Sequence, residues 1–176
     1  VDPGKYHMSR SKSLYQSKQY GLCLIEAGTA ARLSPDDLKV QEILVGLHSM
    51  FLRLDMAEKS VGTFIKYAKE DNKLKSRGYQ ELADIEVLRG HLKKAKELYE
   101  KAKGLGDPNG IAKASLDEFP EKVDSTERQP LNPNALFIDP INALNRKGEI
   151  FAHFGMYQRA MGIYSMVLRM NPTNLT

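Results

Sequence analysis

The chain has 176 residues, a formal net charge of +4, 41 % hydrophobic and 27 % charged residues, which excludes a disordered or collagen-like chain and fits one domain or a short helical array. No apolar run approaches the roughly 18 residues of a membrane span, and so mild a positive charge is weak ground for nucleic-acid binding. Cys23 is the only cysteine, which rules out an intrachain disulfide; a reducing, cytoplasmic compartment is expected, and a single thiol is also compatible with the periplasm.

Residues 1–7 read as a leader or tag remnant, with His7-Met8 as a cloning junction, and are set apart from function. A first helical pair follows over residues 5–37. Its first helix is polar around Ser9 to Ser13, so only Leu14 and Tyr15 are expected to be buried. Its second, Tyr20–Leu33, has Leu22, Cys23, Ile25, Ala27, Ala30 and Ala31 as an apolar side. Ser34-Pro35-Asp36-Asp37 reads as the next helix start, with Ser34 as cap and proline at the first helical position. A second pair over residues 41–74 sets Ile43, Leu44, Leu47, Met50 and Phe51 at helical spacing, followed by a partner helix over 56–69. A third pair over 76–109 turns at Gly90-His91 and ends at Gly104. Asp107-Pro108 then signals a short helix over 111–119. Pro120, Pro130, Pro133 and Pro140 forbid a long helix beyond it, and Ala135 to Ile138 is apolar enough to pack on the array. Asp139-Pro140 caps the last pair, in which Gly155 starts the turn and Tyr157 opens the second helix.

These pairs carry an internal repeat. Ser11, His48, Ala83 and Gly148 mark the closest approach of each first helix. Twelve residues on stand Cys23, Ser60, Ala95 and Ala160, and four further on Ala27, Phe64, Tyr99 and Tyr164. The second-helix positions are 37, 35 and 65 residues apart, so something is inserted before the last pair. Pro172 follows Ala160 by twelve residues. With the small residues at the crossings, this pattern resembles the tetratricopeptide repeat (TPR); His48 departs from it, since the family prefers a small residue there.

The resemblance implies an all-α fold, a right-handed α-solenoid of about four helical hairpins. Repeats one to three would occupy residues 8–109, an irregular insertion 110–140, and repeat four 141–174. In this family the first helix of each hairpin lines a concave groove. The residues it would place there are Lys12, Gln16, Ser49, Arg53, Gln80, Asp84, Asn145, Glu149 and His153, basic toward the N-terminal half and acidic toward the other. The implied function is a non-enzymatic scaffold, adaptor or assembly chaperone holding an extended peptide or helix of a partner protein. The lysine–asparagine clamp of chaperone-tail binders is absent, because Met8 and Lys12 stand in its place. Bacterial secretion chaperones are of similar size but match the insertion poorly. An RNA-binding helical-repeat protein is the alternative reading, weakened by the lack of a line of Lys and Arg in the groove. The last helix, with no capping helix after it, suggests either a longer parent chain or pairing with a second copy.

Chemistry is not signalled. There is no phosphate-cradling glycine loop, HExxH, paired CxxC, calcium loop or G-x-S-x-G elbow, so no enzyme, metal or cofactor is expected. Cys23 lies at a helix crossing and reads as a packed thiol. His48 reads as a packed contact and His91 as a solvated turn residue. His153 and Glu149 share a helix face but lack a third ligand.

Overall fold

The computed structural model describes residues 2–121, 131 and 139–170. Among them all regular structure is helical: α1 (Pro3–Gln16), α2 (Tyr20–Leu33), α3 (Leu38–Met50), α4 (Leu54–Tyr67), α5 (Asn72–Leu88), α6 (Leu92–Gly104), α7 (Ile111–Asp117), α8 (Pro140–His153) and α9 (Tyr157–Met170). They belong to two compact units, Val1–Glu70 with α1–α4 and Asp71–Thr176 with α5–α9.

Four helical hairpins, α1/α2, α3/α4, α5/α6 and α8/α9, are built alike. Each first helix has an aspartate N-cap, Asp2, Asp37, Asp71 and Asp139, whose carboxylate accepts backbone N–H groups of the first turn. Each turn is closed by a backbone bond of the Schellman type: Gln19 N–H to Leu14, Arg53 to His48, His91 to Glu86 and Met156 to Phe151, all at 2.8–2.9 Å. The residue before each donor is left-handed: Lys18, Leu52, Gly90 and Gly155. Two are glycines, for which this conformation carries no Cβ clash. Lys18 and Leu52 adopt it because the surrounding bonds fix the turn.

The crossings lie where the repeat places them. The Ser11 hydroxyl donates to the Cys23 carbonyl at 2.9 Å. His48 is buried and its Nδ1 lies 2.9 Å from the Ser60 hydroxyl; the ring keeps the register by replacing close packing with a hydrogen bond. Ala83 and Ala95 are fully buried. A Cβ on Gly148 would stand 2.5 Å from the Tyr164 ring, so any larger residue there must displace that ring. In the first unit α2 also packs on α3, over a core that includes Cys23, Ala27, Leu44 and Phe51. In the second, α8 packs on α5, while α7 packs on both α6 and α9.

Asp2 caps α1 and residues 3–7 form its first turns, with Gly4 buried against Ser34, leaving no room for a Cβ. Several expectations change. Ser34-Pro35-Asp36 form a turn rather than a helix start, and Asp37 is the cap. That turn is held by buried Gln41, whose amide donates to the Ala31 and Pro35 carbonyls. Leu22 and Ile25 are not on the packed side of α2: they are 51 % and 65 % exposed. Gly4, Met8 and Ser11 are the buried residues of α1, while Leu14 and Tyr15 are only partly buried against the core. The apolar stretch 135–138 and Pro172 lie outside the described residues.

Candidate functional site

Within the first unit, a cleft of about 420 Å³ opens between α1 and α3. Cys23 and Ser11 lie at the α1/α2 crossing on its inner side. Ile43, Leu47 and Met50 line the α3 side, while Tyr15, Lys12 and Gln16 line the α1 side. The Tyr15 hydroxyl bonds the Met50 sulfur at 3.4 Å and its ring meets Tyr20 edge-on, which fixes the wall. Burial pushes the Tyr15 phenol up from its ordinary value, with Tyr20 and Cys23 adding to the effect, so it stays a neutral donor. Exposed Gly46 has nothing within 4 Å of the position a Cβ would take. The cleft thus offers an apolar wall, one ammonium and one amide. That suits a peptide with an apolar side chain and backbone carbonyls, and provides no nucleophile with an adjacent base. Among the described residues no group of three His, Cys, Asp or Glu side chains converges to hold a metal ion.

Lys12 and Gln16 are therefore brought together. Ser49 is half-buried further along α3, and Arg53 caps the start of α4 and faces a different groove. In the second unit Gln80 and Asp84 are buried. Glu149 is exposed and pairs with Arg146 at 2.9 Å rather than with His153, whose ring lies edge-on to Phe154. Asn145 is half-buried on α8.

Asp84 is the centre of a buried network that joins all five helices of the second unit. Its Oδ1 accepts the Tyr99 hydroxyl at 2.5 Å, and its Oδ2 accepts Arg159 Nη2 at 2.6 Å, with Lys147 Nζ 3.3 Å away. Arg159 Nη1 donates to Ser115 at 2.5 Å and to Tyr99 at 3.2 Å. Its guanidinium lies 5.0 Å from the Phe151 ring centre. Glu118, just past α7, accepts the Gln158 and Arg159 N–H groups and caps α9. Burial pushes the Asp84 carboxyl up, but Arg159 and Lys147 outweigh it and hold it below the ordinary range. Burial and Asp84 raise Tyr99 well above its ordinary value. Every polar group here has its partner inside the chain, so the cluster holds helices together and has no free group for a ligand.

The sequence reading missed Tyr15, Ile43 and Met50 as cleft walls, although their helical spacing was visible. It gave no sign of Arg159, whose partner Asp84 is 75 residues away.

No protein-family model matches this chain, and no curated protein matches it.

Proposed function

We propose that this chain is a non-enzymatic protein-interaction module of TPR-like hairpins, whose α1/α3 cleft holds an extended segment of a partner protein. The observation that carries this reading is the cleft itself. Two first helices of successive hairpins flank an apolar wall, with Lys12 and Gln16 at its edge. Extended peptides bind through main-chain groups and pockets for alternate side chains. Lys12 and Gln16 suit the former and the Ile43–Met50 wall the latter. The absence of a catalytic motif in the sequence fits a scaffold, adaptor or assembly chaperone working in the cytoplasm. The recurring aspartate caps and turns support the reading of a helical-hairpin repeat, for which a right-handed TPR arrangement is the form proposed.

The test is affinity capture with the full chain from its own cells, followed by titration of the dominant partner. Lys12→Glu together with Met50→Asp should weaken that partner at least about tenfold, with the helical circular-dichroism signal retained. Unchanged affinity in a folded variant removes the cleft from the proposal.

A further inference from the structure

The first unit carries a second groove, of about 720 Å³, formed by different faces of its helices. The floor is α3, which presents Gln41, Leu44 and His48 to it. On α3 these lie on a different face from Ile43, Leu47 and Met50, which line the cleft described above. The walls are α2 and α4.

Three observations bear on what fills it. First, α2 reads as a helix meant to be covered all round. Among its fourteen residues the charged ones are Glu26 and Arg32, and Glu26 is turned to α1, where it pairs with His7 and Arg10. A helix apolar on all sides is normally buried, yet Leu22, Ile25 and Leu33 are each more than half exposed; of these Ile25 lines the groove, and Leu22 and Leu33 lie outside its lining. Across the groove Met56 of α4 is 51 % exposed. Second, Gly21 and Gly28 stand on the groove wall within α2, and at the interior position Gly28 glycine costs about 1 kcal/mol relative to alanine. Among the described residues nothing lies within 4 Å of where their Cβ atoms would be, so packing among those residues does not require glycine at either position. They would let an outside backbone approach closely. Third, the charges along the groove have one sign. Arg32, Arg53 and Lys59 line it, and among the described residues lining it there is no acid. Arg53 Nε is buried without a hydrogen-bond acceptor.

We propose that this groove docks an amphipathic helix of a partner protein that is apolar on one face and acidic along its flanks. The apolar face covers Ile25, Leu44 and Met56, and the acids meet Arg32, Arg53 and Lys59. A small anionic amphiphile fits less well, because small-ligand sites enclose most of their ligand and here the tops of the walls are themselves apolar and exposed. The surface is separate from the α1/α3 cleft, so either assignment stands without the other.

The experiment uses the full chain and fluorescent synthetic peptides about fifteen residues long, with leucines at three- and four-residue spacing. One version carries Glu on its flanks and a matched version carries Lys. The Glu peptide should bind at least about tenfold more tightly, and lose that advantage as salt rises. Ile25→Asp and the pair Arg32→Glu, Lys59→Glu should each weaken it at least about tenfold. All three residues are on the surface, so helical content and melting temperature should hold. Lys12→Glu in the cleft should leave it unchanged. Equal binding of the two peptides overturns the proposal. So does a concentration-dependent dimer abolished by Ile25→Asp, which would assign the face to a second copy. Preferential binding of single-stranded RNA or of vesicles rich in phosphatidylserine, lost in the double variant, overturns it in favour of those anions.

Discussion

Asp84 shows how a single side chain can be decisive in a fold otherwise made of repeated local rules. Its carboxylate is buried, and only Arg159, Lys147 and Tyr99 make that tolerable. Asp84→Asn keeps the shape but leaves two cations without their counter-charge. It should lower unfolding stability by about 3–5 kcal/mol, the usual cost of breaking a buried pair from one side. The pH dependence has a definite sign. The carboxyl is depressed in the folded chain, so the unfolded chain binds the proton more readily. The contribution is complete above the ordinary value of 3.8 and is lost as pH falls below it. Urea titrations at neutral pH and in steps below pH 4 should show the parent losing stability faster than Asp84→Asn. Parallel pH profiles would mean that Asp84 is not ionised in the fold.

Among the helices, what the sequence disclosed follows from how local each cause is. The bounds of α2 and the turns at Gly90 and Gly155 were legible because periodicity, glycine and the crossing spacing act within one hairpin. The start of α3 was misread because Ser34-Pro35 has the composition of a cap, while Gln41 holds those residues in a turn and gives the role to Asp37. A further signal was present and unused: the capping aspartates Asp2, Asp37, Asp71 and Asp139 are 35, 34 and 68 residues apart, so the stretch before the last hairpin spans one repeat length. The Asp84 network was not legible, because its members come from five helices and meet only after packing. The crossing of α8 and α9 gives the element-scale prediction. Gly148→Ala should gain about 1 kcal/mol in helix propensity but lose more through the clash with Tyr164, for a net cost of about 1–2 kcal/mol. Tyr164→Ala removes the clashing ring, so in the double variant the same alanine should become neutral or stabilising. A double-mutant cycle by chemical denaturation measures this coupling; additive effects would mean that the two helices cross elsewhere.

For the molecule as a whole, the division into two units, each with its own core, makes a statement about cooperativity. The first core gathers Cys23, Ala27, Leu44 and Phe51, and in the second unit Ile85, Tyr99, Ile150 and Phe151 are fully buried. In helical arrays stability is a sum of local terms and neighbour terms, so openings need not be global. The Asp84 network binds α5 to α9 alone, and this allows the second unit to be weakened selectively. Native-state hydrogen exchange in rising denaturant should sort the slow amides of α1–α4 and of α5–α9 into two opening reactions. Asp84→Asn should lower only the second, by about the 3–5 kcal/mol expected of the buried pair. Amides of the seven-residue α7 should move with that group, since so short a helix owes its protection to Ser115, Arg159 and its packing on α6 and α9 rather than to its own propensity. An equal fall in protection across α1–α4 would show instead that the chain opens as one cooperative body.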